Sequence, residues 1–391
     1  MKILHLFDLY LPNTMNWAYR MIQATPRTEA RAAAPWVVRN AYFGNGRHVF
    51  LRPLQRLTGL IPRTEWAWPW LVGLLLRLEH RWPWYRHWLE RRLQRDKPEV
   101  LHAHFAPIGY HYLPLAKALG IPLVVSFYGY DYESLTTRKP AWKARYRQLF
   151  EQAAAVICLG PHGRDVLAAQ GCPLGKIHML PMSIDPLAFP WVERHKHPGK
   201  LRLVQVATIK EKKGFWYTLQ AFQAALAHCP NLHLTIAGEP NDEALRQRMQ
   251  DFIRAHHLEE KITWLDFLPN DELPAFFARF DVFIHPSCYT EHRDSEGAPA
   301  VILEAAATGL PVIATRHADI PMEVLHEKTG LLTEERDVPA LSACIERFYH
   351  MEAEEYRTFS LAARGHVEQF FDVRKNGVLL RGIYERVDSR V

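Results

Sequence analysis

The sequence predicts a parallel α/β protein built from two doubly wound domains. Its 391 residues, 48% of them hydrophobic, suffice for two cores of ordinary size. Strand-like apolar runs alternate with helix-like segments along almost the whole chain, which is the pattern of parallel sheets. Residues 182–199 are rich in Pro, His and Lys and show no hydrophobic period, so we predict that they link the two domains.

The elements follow in order along the chain. The predicted strands of the first half are Lys2–Phe7, Val100–Ala103, Leu123–Phe127, Ala155–Leu159 and Ile177–Leu180. Those of the second half are Leu201–Ala207, Leu232–Ala237, Ile262–Leu265, Val282–His285 and Val312–Ala314. The region from about Leu341 to Asp388 is predicted to be helical. We therefore predict domains over residues 1–185 and 200–365, a linker over 186–199, and a last helix over 366–391 that packs back toward the first domain.

The composition of the chain bears on the cellular compartment in which we expect the protein. Five cysteines are scattered without zinc or disulfide spacing, which favours a reducing environment. The N-terminal residues form a strand pattern ending in Asp8 rather than a signal peptide. No apolar run approaches the roughly 18 residues that a membrane span needs. We expect a cytoplasmic protein with no cofactor and no nucleic-acid partner.

Basic residues concentrate in the first half of the chain. Residues 1–190 hold 24 Lys and Arg against 12 Asp and Glu, whereas the remainder is net acidic. Residues 63–97 hold six of the twelve tryptophans and eight basic against four acidic side chains. Aromatic rings interleaved with arginine suit a lipid headgroup boundary, so we expect peripheral contact with the inner face of an anionic membrane. The alternative is a domain helix whose tryptophans pack in the core.

The most informative segment covers residues 294–312. An Asp-Ser-Glu-Gly loop opens a helix that ends at Gly309, before Pro311 starts a strand. The amides and the dipole of such a helix N-terminus suit the phosphates of a sugar diphosphate. The carboxylates of Glu296 and Glu304 can then accept hydrogen bonds from sugar or ribose hydroxyls. This segment indicates an enzyme that uses nucleotide sugars.

Together with Gly-Leu-Pro-Val-Ile-Ala-Thr (309–315) and Thr-Gly-Leu-Leu (329–332), these glutamates carry a family resemblance. From about Leu201 to Asp337 the chain resembles the retaining glycosyltransferases of family 4, in the branch that builds polysaccharides. That family has the GT-B fold, in which two Rossmann-like domains enclose a donor cleft. The resemblance implies that the second domain binds the nucleotide-sugar donor and that the first binds the acceptor.

The resemblance gives the two carboxylates separate roles. Glu296 is expected to face the donor sugar, and Glu304, well inside the helix, to bind the nucleotide ribose. Further expected donor-binding positions are Gly297, Ala298, Pro299, Gly238 and Leu268. The first three would allow close backbone approach, although a proline lacks the amide hydrogen. The last two follow strands of the second domain and should flank the base.

A basic loop after the strand at residues 201–207 gives the second motif. The family usually has an arginine after this strand and a lysine before a glycine, both of which bind the diphosphate. Lys213 matches the lysine, and its expected role is catalytic. Thr208 occupies the arginine position, so Lys210 or Lys212 could supply the missing charge. The alternative is a solvated basic loop.

In the first half, His104 matches a strand-end histidine that reaches the donor sugar in the family. A core histidine and a His-x-His metal site with His102 are the alternatives. Tyr128 replaces a histidine of the relatives and is expected on the acceptor side, and Asp131 either faces the acceptor or caps a helix. The loop after the first strand resembles the polysaccharide branch, in which Ser/Thr and Asn serve beside the phosphates. Its expected acceptor-side residues are Asn13 and Thr14.

These observations predict a retaining hexosyltransferase that acts on a lipid-linked or polysaccharide precursor. Cationic side chains can replace a metal at the diphosphate, so no metal is expected. Two alternatives remain open. One is a nucleotide-sugar 2-epimerase, which needs no acceptor. The other is a non-catalytic member of the fold that binds a sugar nucleotide, which the departures at Thr208 and Tyr128 favour.

Overall fold

A computed structural model describes residues 1–10, 15–34, 36–37 and 90–389. It contains two sheets of six parallel strands, one in each half of the chain. Helices connect successive strands and cover the sheets, so the central strands are buried along their whole length. The two predicted doubly wound domains are thereby confirmed.

The first sheet has the order β3-β1-β5-β6-β7-β8 and the short strands β2 and β4 pair beside it. The strands are β1 (Lys2–Leu6), β2 (Leu9–Tyr10), β3 (Glu29–Ala33), β4 (Trp36–Val37), β5 (Val100–His104), β6 (Leu123–Ser126), β7 (Ala155–Cys158) and β8 (Ile177–Met179). The helices are α1 (Asn16–Ala24), α2 (Ala106–Leu119), α3 (Ser134–Arg138), α4 (Trp142–Gln152) and α5 (Pro161–Ala169). Strand order reverses between β1 and β5, so the ends of these two strands lie side by side.

The second sheet has the order β11-β10-β9-β12-β13-β14, the arrangement of a dinucleotide-binding fold. The strands are β9 (Leu201–Val206), β10 (Leu232–Ala237), β11 (Ile262–Leu265), β12 (Val282–His285), β13 (Val312–Thr315) and β14 (Gly330–Thr333). The helices are α6 (Phe215–Ala225), α7 (Glu243–Ala255), α8 (Leu273–Phe277), α9 (Ala300–Ala307) and α10 (Ile320–Glu323). Here the order reverses between β9 and β12.

Three long helices end the chain: α11 (Val338–His350), α12 (Ala353–Phe370) and α13 (Val373–Asp388). The last one returns to the first sheet. Leu380, Ile383 and Tyr384 pack into a cluster with Ile3 of β1 and Val124 of β6. The return fixes α1 as well, because Gly377 on α13 lies against the backbone of residues 24–25.

Each of the predicted strands has a counterpart in the structure, with ends that differ by at most one residue. The predicted helical region is confirmed as α11 to α13. The linker region contains the 3₁₀ turn Pro186–Ala188 and no strand of either main sheet. None of the helices in the described part of the chain combines the length and apolar character that crossing a bilayer requires.

Candidate active site

Lys213 and Glu296 meet at the switch point of the second sheet. Open α/β sheets bind ligands in the crevice where strand order reverses, outside the carboxyl ends of the strands. Lys213 follows β9 in a 3₁₀ turn, and Glu296 follows β12 in the loop before α9. The Lys213 Nζ lies 2.6 Å from the Glu296 Oε2. Gly214 allows the two loops to approach, because a Cβ there would lie 1.9 Å from the Pro286 carbonyl oxygen.

Lys212 holds the loop that carries Glu296. Its Nζ donates to Asp294 Oδ1 at 3.0 Å and to the Ser295 carbonyl at 3.2 Å, and it lies 3.2 Å from Glu296 Oε1. Burial would raise the pKa of Glu296, but Lys213 and Lys212 outweigh that effect and hold it well below its usual range. Glu296 is therefore ionised at neutral pH. Lys212 is already engaged by this loop, which favours Lys210 of the two lysines considered for the missing charge.

His317 is a site residue that the sequence analysis missed. Its Nδ1 lies 2.6 Å from Glu335 Oε1, and its Nε2 accepts a hydrogen bond from the Glu296 backbone N–H at 3.1 Å. The Glu335 carboxylate also accepts the Tyr289 N–H at 2.9 Å. This chain orients the backbone of Glu296. No local signal could have revealed it, since His317 follows a different strand, β13.

Burial favours the neutral form of two further groups near the ion pair. His285 and Glu323 have no side-chain hydrogen-bond partner among the described residues. Burial, followed by the Lys213 charge, lowers the pKa of His285 to about 3. Burial, followed by the Asp319 charge, raises the pKa of Glu323 well above its usual range. His285 is therefore neutral at pH 7, and burial favours the neutral form of Glu323.

Glu304 lies inside α9, as the sequence predicts, and faces the first domain. Its Oε1 is 3.9 Å from Nη1 of Arg20 on α1. Burial raises the pKa of Glu304 to about 7, although the Arg20 charge opposes the shift. The surroundings of Glu296 thus lower its pKa, whereas those of Glu304 raise its pKa. Arg20 is a second residue that sequence reasoning missed.

The loop before α9 touches the first domain backbone to backbone. Gly129 has a φ of 116°, and a Cβ there would lie 2.7 Å from the Gly297 nitrogen. A Cβ on Gly297 would in turn lie 2.8 Å from the Tyr128 carbonyl oxygen. Ala298 is buried, and Pro299 is the N-cap of α9. The first amides of the helix, which lack intrahelical acceptors, follow this contact.

The remaining donor-side positions lie half-buried at the carboxyl edge of the second sheet. They are Thr208 and Lys210 after β9, Gly238 after β10 and Leu268 after β11. A Cβ on Gly238 would lie 1.7 Å from the Ala207 carbonyl oxygen, so the turns after β9 and β10 are in contact. The Lys210 side chain has no ion-pair partner in the part of the chain that is described.

The predicted alternative of a core histidine receives support at His104. This side chain is buried, and both ring nitrogens are engaged: Nδ1 with the Tyr128 hydroxyl at 2.6 Å and Nε2 with His5 Nδ1 at 3.1 Å. Burial, with His102 and His5 nearby, holds the pKa of His104 well below its usual range. Contact with a donor sugar would require one of these bonds to break. Tyr128, which stands where the relatives have a histidine, thus orients the His104 ring through this hydrogen bond.

The structure adds a third histidine to the His-x-His pair. One ligand atom from each of His5, His102 and His104 lies within 4.8 Å of the others, so a metal could be considered. The hydrogen bonds favour another interpretation. His102 already contacts the Tyr384 hydroxyl at 2.6 Å and the Ser126 hydroxyl at 2.7 Å. The His102 and His104 rings stack at 4.4 Å, face to face, which does not direct their lone pairs to one point.

Asp131 has the geometry of a cap. It is fully buried, and its carboxylate accepts the N–H of Ala106, the first residue of α2, at 2.9 Å and that of Tyr128 at 2.8 Å. Burial raises the pKa of Asp131 to about 6. These contacts favour the helix-cap alternative over an acceptor role. Asn13, Thr14 and residues 63–89 lie outside the described residues.

Side chains also join the two domains around the site. Asp319, after β13, accepts the backbone N–H groups of His162 and Gly163 at 2.8 and 3.3 Å, and so caps α5 from the other domain. The Tyr289 hydroxyl lies 2.9 Å from His162 Nε2. Arg293 and Glu133 form an ion pair of 2.6 Å. The candidate site therefore lies between two domains that are in direct contact.

Two family models match the chain. Residues 191–366 match glycosyl transferases group 1, and residues 54–186 match glycosyltransferase family 4. The chain is 32% identical to the amylovoran biosynthesis glycosyltransferase AmsK of Erwinia amylovora, over 59% of this chain and 56% of the relative. It is 30% identical to the putative colanic acid biosynthesis glycosyltransferase WcaL of Salmonella typhimurium, over 70% of this chain and 67% of the relative. The chain thus spans between half and about two thirds of these relatives.

Solved structures share the fold over the whole chain. Sucrose-phosphate synthase from Thermosynechococcus elongatus superposes with a TM-score of 0.76 at 16% identity, and each chain is covered completely. Anabaena HepE in complex with UDP-glucose superposes with a TM-score of 0.70 at 17% identity, again over both complete chains. At such identities the likeness shows the fold alone.

Proposed function

This chain belongs to the group 1 glycosyl transferases, and we propose that it transfers a hexose, with retention, from a nucleoside diphosphate sugar. The proposed acceptor is a lipid-linked or polysaccharide precursor. The observation that carries the proposal is the Lys213–Glu296 pair at the sheet switch point, with Glu304 further along the same segment. This arrangement offers one cation for a diphosphate and two carboxylates in different environments for hydroxyl groups.

The chemistry follows from what these side chains can do. As the bond from the sugar C1 to the phosphate oxygen breaks, negative charge grows on the leaving diphosphate, and Lys213 would stabilise it electrostatically. Glu296 stays ionised and accepts hydrogen bonds, so it orients the donor sugar instead of donating a proton. The acceptor oxygen would attack C1 on the same face, and its proton would pass to the departing phosphate. Bond order and charge balance without a protein nucleophile.

The relatives support the proposed acceptor class. Two of them are named for the biosynthesis of amylovoran and of colanic acid. Several neighbours in structure were solved with UDP or UDP-glucose, which supports a nucleoside diphosphate sugar as the donor. We therefore place this chain at a glycosyl transfer step in the assembly of a surface polysaccharide.

The experiment that tests the proposal is a donor panel without acceptor. Purified protein is offered UDP, GDP, dTDP and ADP sugars, and thermal stabilisation and slow donor hydrolysis are measured. At least one donor should stabilise the protein and be hydrolysed, and NMR should show the α-anomer released from an α-linked donor. Stabilisation without hydrolysis or transfer to any precursor would favour the non-catalytic alternative. Conversion of the donor to its 2-epimer would favour the epimerase.

Metal independence belongs to the same proposal. Cations of the protein are assigned to the diphosphate, so EDTA should leave the activity on the active donor largely intact. Activity that is lost with EDTA and restored by Mg²⁺ or Mn²⁺ would overturn this part.

We also propose that residues 63–97 contact an anionic membrane surface. The support is their composition: six tryptophans and eight basic against four acidic side chains. Each basic residue near such a surface contributes about 1 kcal/mol, and salt screens it. Flotation with phosphatidylglycerol vesicles should show binding at low salt that decreases at high salt. A variant with Arg77, Arg81, Arg86, Arg91 and Arg92 changed to Ser should bind much less. If no binding is seen at low salt, the alternative is favoured, in which the tryptophans pack in the core of the domain.

A further inference from the structure

Arg20 brings a positive charge from the first domain to the donor side of the second. It lies on α1, and its guanidinium contacts the carboxylate of Glu304 on α9 at 3.9 Å. The two side chains are 17% and 11% exposed, so the contact is largely shielded from solvent. Water and salt screen such a shielded contact less than they screen a contact on the surface.

The helix that carries Arg20 is well anchored. Trp17, one turn before Arg20, packs against Tyr128 with ring centroids 4.6 Å apart. The far end of α1 is held by α13, where Arg381 donates to the Arg27 carbonyl at 2.8 Å. The Arg20 guanidinium also lies 5.6 Å from the centre of the Phe189 ring. The fold therefore sets the place on α1 from which the Arg20 side chain extends.

The covalent order of a nucleotide sugar relates Arg20 to the diphosphate. The order is sugar, diphosphate, ribose, base, and the diphosphate lies between the groups assigned to Glu296 and Glu304. Lys213, in contact with Glu296, is at the sugar end of that diphosphate. Arg20, in contact with Glu304, is at the ribose end. A long arginine side chain beside the ribose carboxylate can turn to the adjacent phosphate.

The second domain is short of cations for this ligand. Thr208 stands where the resemblance implies an arginine, and Lys212 is engaged by Asp294 and Glu296. Lys213 then faces a diphosphate alone or with Lys210. A guanidinium is well suited to the task, because its planar donors bind phosphate oxygens in pairs. We propose that Arg20 binds the diphosphate of the donor and supplies from the first domain the positive charge that is absent at Thr208.

This inference rests on the proposed function and makes Arg20 an element of domain closure. Before donor binding, Arg20 lies beside Glu304. When the donor enters, ribose hydroxyls take its place on Glu304, and the guanidinium moves to the phosphate. The rival is that Arg20 only occupies Glu304 and competes with the ribose. The two possibilities predict opposite effects of removing the Arg20 side chain. If Arg20 competes with the ribose, nucleotide binding should become stronger, and if Arg20 binds the phosphate, nucleotide binding should become weaker.

The experiment compares nucleoside diphosphates with their nucleosides. Calorimetric titration of UDP, GDP, uridine and guanosine is carried out on the wild type, Arg20→Gln and Arg20→Lys. Arg254→Gln is the matched control, because Arg254 is an exposed arginine that pairs with Asp251 inside the second domain. Glu304→Gln and the double variant Arg20→Gln/Glu304→Gln complete a double-mutant cycle. The glutamine side chain keeps most of the length of arginine, and circular dichroism checks that each variant is folded.

We expect Arg20→Gln to weaken the diphosphate about 10- to 100-fold, the usual range for a charged hydrogen bond, and to change nucleoside affinity less than about twofold. Arg20→Lys should recover part of the loss, and the loss should persist in the Glu304→Gln background. Unchanged or tighter diphosphate binding by Arg20→Gln would overturn the inference, as would an equal loss for the nucleoside. If the wild type binds none of these nucleotides, the proposed function itself fails, which is a different result from a failure at Arg20.

Discussion

Glu296 and Glu304 lie eight positions apart, and their surroundings shift the pKa of the two carboxyl groups in opposite directions. The ammonium groups of Lys213 and Lys212 keep the pKa of Glu296 low despite its burial, whereas burial alone dominates at Glu304 and raises its pKa to about 7. Pairs of carboxyl groups whose environments separate their pKa values commonly have different roles. At neutral pH Glu296 can only accept hydrogen bonds, and Glu304 can also be protonated.

This difference predicts separate kinetic effects. Glu296→Gln should lower kcat at least 100-fold with little effect on nucleoside diphosphate affinity, because the sugar contact matters most as the bond breaks. Glu304→Gln should weaken nucleoside and nucleoside diphosphate binding by similar factors and lower kcat less. Steady-state kinetics on the active donor, with titration of the nucleotide, measure both. Equal loss of donor affinity in the two variants with unchanged kcat would show that the roles are wrongly assigned.

Glu304 also predicts a pH dependence of stability. The folded state keeps its proton up to about pH 7, whereas the unfolded chain loses it near 4.5. At this group the folded state therefore binds more protons between these values, and the contribution of Glu304 to stability falls as pH rises from about 4.5 to about 7. The loss is at most roughly 3 kcal/mol, since each pKa unit corresponds to about 1.4 kcal/mol.

Glu304→Gln removes this titration. Its stability relative to the wild type should therefore increase between pH 4.5 and pH 7 and then stay constant. Urea unfolding of both proteins at half-unit pH intervals measures the difference. Parallel pH profiles for the two proteins would contradict the raised pKa.

Local motifs explain which site residues the sequence could predict. Glu296, Glu304 and Lys213 lie at fixed distances from glycines and strand ends, so their meeting at one sheet edge follows from the parallel topology. Arg20 and His317 lie on other elements, and no spacing relates them to Glu296 or Glu304. The sugar contact predicted for His104 stays a prediction, and the sequence could not show that Tyr128 and His5 contact its two ring nitrogens.

At the scale of elements, apolar runs predicted the central strands and missed two edge strands. Strands β3 and β14 lie at the edges of their sheets. The sequence of β3, Glu-Ala-Arg-Ala-Ala, has no β-branched residue, and an edge strand does not need the continuous apolar run of a central one. The sequence of β14, Gly-Leu-Leu-Thr, begins with glycine, which weakens a strand pattern. Sheet pairing, rather than local propensity, makes both segments strands.

The last helix makes a testable contribution to the first domain. Leu380 on α13 is 1% exposed and packs against the first sheet, whereas its neighbour Leu379 is 53% exposed. Leu380→Ala should destabilise the protein by about 2–5 kcal/mol, because it leaves a cavity. Leu379→Ala, which removes the same atoms from a solvent-facing position, should change stability by less than about 0.5 kcal/mol.

Urea unfolding of the two variants measures the effect of this packing. A small loss for Leu380→Ala, equal to that of Leu379→Ala, would show that α13 does not belong to the core of the first domain. A large loss for both would indicate that the exposed face of α13 is covered in solution.

At the scale of the whole molecule, we expect closure of the two domains to depend on a backbone contact between them. Gly129 in the first domain has a φ of 116°, and a Cβ there would lie 2.7 Å from the Gly297 nitrogen, next to Glu296. Contacts of Asp319 with α5 and of Arg293 with Glu133 act across the same boundary. A side chain at position 129 would therefore separate these two loops, which we expect to bring acceptor and donor together.

Gly129→Ala should lower kcat/KM for transfer at least tenfold, because near-attack geometry is lost when reacting groups separate by even about 1 Å. Gly171→Ala is the matched control. Gly171 also lies in the first domain with a φ of 96°, but a Cβ there meets nothing within 4 Å. Both variants carry the backbone strain of an alanine at positive φ, of about 1–2 kcal/mol, so both should lose some thermal stability. Only Gly129→Ala should also lose activity. Its nucleotide binding should change less than its activity, because we assign the nucleotide mainly to the second domain. If both alanine variants lose the same activity, strain alone explains the effect, and the contact between Gly129 and Gly297 is not part of closure.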